Sequence, residues 1–149
     1  MKLSTRGRYG MRAMVDLCMH YNEGSVQLKE IARRQKVSLK YLEQLVTPLR
    51  AAGLVRGVRG ARGGYTLSRP PEDINLGEIL QALEGSLAPV DCAADETICP
   101  AAGGCATHEL WQELYVSVNK VLERRTLKDL ATRQTELERE GRDAFTYQI

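Results

Sequence analysis

Apolar residues recur along this chain at two different periods, and each change of period marks an element. Over residues 4–22, Met11, Met14, Val15, Cys18 and Met19 fall at helical spacing, and Ser4 or Thr5 can cap the start. Residues 27–36 (QLKEIARRQK) give a short amphipathic helix with Leu28, Ile31 and Ala32 inward. After the step Lys36-Val37-Ser38 a second helix is predicted over 38–52, capped by Ser38 and stopped by Gly53. Its apolar stripe is Leu39, Leu42, Leu45, Val46 and Leu49. Pro48 inside that stripe removes the bond to Gln44 and should bend the helix, separating an exposed front half from a packed back half.

The pattern then shortens. Leu54 to Arg56 and Tyr65 to Leu67 read as two strands, with Gly57, Gly60, Gly63 and Gly64 freeing the backbone around the loop between them. Pro70 and Pro71 close this unit. A helix near 75–84 turns Leu76, Ile79, Leu80 and Leu83 inward, and residues 85–106 read as a loop. A long helix follows from about Thr107 to Arg125, with Leu110, Leu114, Val118 and Val121 on one face and Trp111, Val116 and Leu122 beside it. Thr126 can cap one more helix (TLKDLATRQTELERE), and the residues after Gly141 carry no clear assignment. The expectation is a mainly α fold with a small β-wing, organised as a winged helix-turn-helix followed by a long helix.

Composition narrows the class. A chain of 149 residues, 43% hydrophobic and 27% charged, fits one ordinary globular domain or a small domain with an extension. No apolar run reaches membrane-spanning length, and the basic N-terminus is soon interrupted by charges, unlike a secretory signal. The expected location is cytoplasmic, where thiols stay reduced, which disfavours disulfides. The net charge of +2 hides a split. Residues 1–69 carry fourteen Lys/Arg against four Asp/Glu, a net of +10, and residues 70–149 carry seven against fifteen, a net of −8. A basic half joined to an acidic half points to a polyanion-binding end and a separate control end.

The basic half has the order helix, helix, turn, helix, glycine-rich hairpin, in which the second helix of the pair enters the major groove. Its exposed front is Lys40, Tyr41, Glu43 and Gln44. Gln can pair with adenine and Glu can accept from cytosine N4, whereas Tyr41 also suits a core position. The wing carries Arg56, Arg59 and Arg62 among glycines, a slim basic tip suited to the minor groove. Lys2, Arg6, Arg8 and Arg12 open the first helix and could meet phosphates.

Chemistry of another kind lies in the acidic half. Cys92, Cys99, Cys105 and His108 fall in the spacing C-x6-C-x5-C-x2-H and use three of the chain's four cysteines. Clustered thiolates require a cation or cluster to offset their repulsion. Gly103 and Gly104 let the backbone approach a sulfur, and the start of the long helix favours an anionic cluster near His108. Cys3His is also a zinc set, but zinc sites use tighter cysteine steps, so the wide steps favour an iron–sulfur cluster. Cys18, on the apolar stripe, reads as core, and His20 as surface. Trp111 beside the long helix's stripe reads as packing or a dimer contact.

The segments STRGRYGMRAM, SLKYLEQL, GLVRGVRGARGGYTL, CATHELW and TLKDL together resemble the IscR-type family of winged-helix iron–sulfur regulators, over residues 1–135. The resemblance implies a homodimer in which a long helix crosses to the partner. It implies a 2Fe–2S cluster on Cys92, Cys99, Cys105 and His108, and DNA contacts from Glu43, Gln44 and Arg59. A 4Fe–4S cluster belongs to a related nitric-oxide-sensing branch. Some members there take an acidic ligand near the start of the first helix, where this chain has Arg8. IscR proteins often place five residues between the first two cysteines, and this chain has six.

The expected organisation is a DNA-binding region over 1–70, a cluster loop with dimerisation helices over 71–135, and a polar tail over 136–149. The expected function is transcription regulation, as a repressor of iron–sulfur cluster assembly genes, acting on a double-stranded DNA operator and not as an enzyme. The alternatives are a nitric-oxide- or iron-responsive regulator of the same family, or a zinc-stabilised DNA-binding protein.

Overall fold

The structure, a computed structural model, describes residues 1–147, with side chains through Arg142. It is mostly helical with one two-stranded antiparallel sheet. Helix α1 spans Thr5–Met19, and its start is capped by Ser4, whose hydroxyl accepts the Gly7 N–H. Helix α2, Leu28–Gln35, ends where Lys36 takes a left-handed conformation (φ 56°). Helix α3, Leu39–Ala51, starts at Ser38, whose side chain accepts the Tyr41 N–H at 3.1 Å. Its buried face is Leu42, Leu45, Val46 and Leu49. Leu39, expected on that stripe, is instead 44% exposed, because the first residue of α3 projects beyond the packed face. The helix continues through Pro48, which keeps its role as acceptor from the Ala52 N–H.

Strands β1 (Val55–Val58) and β2 (Gly64–Leu67) pair in the register Val55↔Leu67 to Val58↔Gly64. A third segment joins them: Val26 and Tyr65 exchange two backbone hydrogen bonds of 2.8 Å, and the Ser25 hydroxyl donates to the Arg62 carbonyl. The wing is therefore tied to the chain just before α2. Gly64 makes the approach possible, because a Cβ there would strike the Val26 carbonyl.

Helix α4 (Leu76–Glu84) opens with a reciprocal capping box between Asn75 and Glu78. The loop read between 85 and 106 contains a short helix, α5 (Asp91–Ala94), and single 3-10 turns at Glu96–Ile98 and Ala102–Gly104. Helix α6 covers Ala106–Glu123 and helix α7 Leu127–Tyr147. Thr126 and Asp129 cap α7 reciprocally. The helix passes through Gly141, so residues 136–147 of the expected tail are helical, and 148–149 lie outside the described residues. One glycine costs a helix only about 1 kcal/mol, and the Arg133–Glu136 and Gln134–Glu138 pairs support the turns before it.

One hydrophobic core joins both halves of the chain. Met14 and Leu17 of α1, Ile31 of α2, Leu42, Leu45 and Leu49 of α3, and Leu67 of the wing meet Ile79 and Leu83 of α4 and Leu127 of α7. The Leu127 N–H donates to the Ile74 carbonyl at 2.8 Å, and α7 lies along α1. Helix α6 stands apart: His108 is its one fully buried residue. No described helix is long and apolar enough to cross a membrane.

Candidate nucleic-acid interface and metal centre

The side chains singled out for DNA fall on three elements. Lys40, Glu43 and Gln44 are exposed on α3, Arg56, Arg59 and Arg62 on the wing, and Lys2, Arg6 and Arg8 at the start of α1. Tyr41 is placed differently from its neighbours. It is half-buried against the core, its ring meets Tyr9 edge-on at 6.2 Å, and its hydroxyl is buried without a partner. It supports α3 from behind.

The ion pairs divide the basic residues into two groups. Arg33, Arg34, Arg69 and Arg133 each pair with a carboxylate. Among the described residues no carboxylate pairs with Lys2, Arg6, Arg8, Lys40, Arg56, Arg59 or Arg62. Unneutralised, exposed cations of this kind are what a polyanion displaces counterions to reach.

Two polar clusters that the sequence reading passed over hold this surface in place. Asp16, 5% exposed in the middle of α1, accepts from Arg34 Nε at 2.9 Å, Arg34 Nη2 at 2.6 Å and Gln35 Nε2 at 3.0 Å. This forked ion pair locks α1 to α2. The signal for it was a lone carboxylate inside an apolar stripe. Glu84, the last residue of α4, accepts from the Ser4 N–H at 2.9 Å and the Ser4 hydroxyl at 2.6 Å. Gly7 and Gly10 make room for this contact, since a Cβ on either would strike Glu84 or Leu83. The residue preceding the cysteine loop is thus bonded to the segment that carries Lys2, Arg6 and Arg8.

In the loop, Cys92 lies in α5, Cys99 follows the Glu96–Ile98 turn, Cys105 is the N-cap of α6 and His108 is in its first turn. All are half-buried free thiols except His108, which is 5% exposed. Among the described residues no three His, Cys, Asp or Glu side chains stand close enough together to hold a metal ion. The donors nevertheless suit one. Both ring nitrogens of His108 are buried and without a hydrogen-bond partner, an unusual cost for an imidazole with no further role. The Thr107 hydroxyl, 3.1 Å from the sulfur, and then the His108 N–H hold the Cys105 thiol below its ordinary pKa. Cys18 is the opposite case: burial first, and the charge of Glu72 second, push it up to about 11, so it stays a thiol beside the core.

A helix-turn-helix whose first helix is tied to α1 by the Asp16–Arg34 ion pair, followed by a basic hairpin, defines a winged-helix DNA-binding transcriptional regulator. The chain belongs to the Rrf2 family, whose model, described as an iron-dependent transcriptional regulator, matches residues 3–133. It is 46% identical to the HTH-type transcriptional regulator CymR of Bacillus subtilis over 132 residues, covering 89% of this chain and 91% of that one. The solved structure of that protein, the global cysteine regulator, matches with a TM-score of 0.75 over 89% of this chain and 98% of its own, at 45% identity. The regulator IscR of Aliivibrio salmonicida is 42% identical over 130 residues, 87% of this chain and 77% of its own. The solved T. potens IscR has a TM-score of 0.75 at 44% identity, covering 92% of this chain and 90% of that one. The relatives are transcriptional regulators, and members of the family bind DNA.

Proposed function

We propose that this protein is a homodimeric repressor that senses iron–sulfur cluster status and controls iron–sulfur cluster assembly genes through a palindromic DNA operator. The observation that carries the sensing role is His108, buried with both ring nitrogens unpartnered one turn after Cys105. Cys92, Cys99, Cys105 and His108 would hold the cluster, with a 2Fe–2S centre favoured by the likeness to IscR. When bound, such a group supplies a centre labile to oxidants, to nitric oxide and to iron supply.

The chain's own residues explain how the loop reaches the DNA. Its front end is Glu84, hydrogen-bonded to Ser4 at the start of α1, and its back end caps α6. The loop thus joins the α1 phosphate contacts to the helix that sets the spacing of the two reading heads. On α6, Leu110, Leu114, Val116 and Val121 are 39–48% exposed, an apolar surface suited to a second copy. Glu43, Gln44 and Lys40 read the major groove, Arg56, Arg59 and Arg62 enter the minor groove, and Lys2, Arg6 and Arg8 hold phosphates.

The test is anaerobic purification with an absorbance spectrum and iron and sulfide analysis. Iron and sulfide in comparable amounts, with a visible chromophore lost in Cys99→Ala, is the expected result. Zinc without sulfide would overturn the cluster. The likeness to the B. subtilis global cysteine regulator supports a second reading, in which the chain governs cysteine genes without a cluster. A metal-free protein that still binds DNA specifically would favour it.

A further inference from the structure

Among the described residues the carboxylate that pairs with His108 is Glu96, which lies between Cys92 and Cys99, within the six-residue step. Its Oε1 is 3.6 Å from His108 Nε2, within ion-pair reach but just beyond a hydrogen bond, so the carboxylate faces Nε2 without yet accepting from it. The same oxygen accepts from Gln112 Nε2 at 2.5 Å. Gln112 and His108 stand four residues apart on α6, so they share one face of the helix. Gln112 therefore holds the Glu96 carboxylate over the edge of the imidazole that carries Nε2. Glu96 itself is largely exposed, with 67% of its side chain in solvent, and nothing in the core requires it there.

We propose that Glu96, anchored by Gln112, is a positioning residue for His108 that selects the Nε2–H tautomer and leaves Nδ1 as the ligating nitrogen. This rests on the reading of His108 as a ligand. A carboxylate is an acceptor only, so the nitrogen facing it carries the proton of the neutral ring. The other nitrogen then keeps its lone pair, and Nδ1 is buried with no other donor to satisfy it. Ligating histidines are oriented in this way, with a carboxylate holding the second nitrogen. Glu96 would also set a negative charge beside the ligand and so depress the reduction potential of the centre.

The chain's two histidines make the tautomer directly measurable in the metal-free protein. Long-range proton–nitrogen correlation on 15N-labelled protein, with His20→Gln to assign the signals, should show His108 with Nε2 protonated and Nδ1 bare. Glu96→Leu and Gln112→Ala should return the ring to a mixture of tautomers, while Glu96→Gln, which keeps an acceptor oxygen, restores part of the bias. In the iron-reconstituted protein Glu96→Leu should raise the reduction potential without removing the chromophore. A wild-type His108 protonated at Nδ1, or an equal mixture indifferent to Glu96→Leu, overturns the positioning role and leaves the cluster reading intact. A biased tautomer in a chain that takes up no iron or sulfide leaves Glu96 as the orienting group, and sinks the cluster instead.

Discussion

Arg59 stands on the wing, exposed and with no carboxylate pairing among the described residues. Removing its charge should weaken duplex binding by about 1 kcal/mol, roughly fivefold in Kd, and reduce the salt slope by about one. Fluorescence anisotropy on a random-sequence duplex over a salt series reads both quantities, and an unchanged slope would take the wing out of the interface. Asp16 belongs to a different kind of residue. It is buried and holds three donors from α2 and the residue that ends it, so Asp16→Asn strands Arg34 without its counter-charge. Because Arg34 keeps 27% of its side chain in solvent, where water can replace the lost partner, the change should destabilise the protein by about 1–2 kcal/mol. Urea unfolding should show a lower midpoint at an unchanged m-value, and a midpoint within error of wild type would mean the pair is solvated.

Among the elements, the wing depends most on a single backbone approach. Gly64 lies against the Val26 carbonyl, where the two chains exchange hydrogen bonds of 2.8 Å. Gly64→Ala forces the strand away from backbone that cannot yield, which should cost about 1–3 kcal/mol and detach β2 from residue 26. Hydrogen exchange should then speed at Val26 and Tyr65 while the α1 and α4 amides stay protected; equal speeding everywhere would mean global unfolding. Helix α3 rests on a smaller device. The Tyr41 N–H of its first turn is met by the Ser38 hydroxyl, and Ser38→Ala should cost about 1 kcal/mol in thermal unfolding.

For the molecule as a whole, α6 is the anomaly, an 18-residue helix with one buried side chain and an apolar stripe open to solvent. A second copy laid along it would remove Leu110, Leu114 and Val121 from water. Leu114→Glu should therefore give a monomer of 16.6 kDa with its helical content intact. Sedimentation velocity distinguishes the cases, and a dimer that survives would place the contact elsewhere. Because Glu84 ties the start of the cysteine loop to Ser4 and Cys105 ties its end to α6, the exposed apolar face of α6 and the basic start of α1 are linked through one segment.

Periodicity alone determined most of the elements, since a buried face repeats at a fixed spacing and Ser4, Ser38 and Thr126 mark helix starts by side-chain chemistry that acts within three residues. The same local logic marked the glycine hairpin, the unpaired arginines and the thiol-histidine spacing as candidate chemistry. Local pattern could not place Leu39 outside the packed face, because its exposure depends on where α3 projects from its neighbours. Nor could it reach the continuation of α7 past Gly141, which a polar tail disguises. The contacts Ser4–Glu84, Asp16–Arg34, Val26–Tyr65 and Glu96–His108 join residues 12 to 80 positions apart. No spacing rule applies at such separations, and only the packing of the whole chain decided which polar groups would meet.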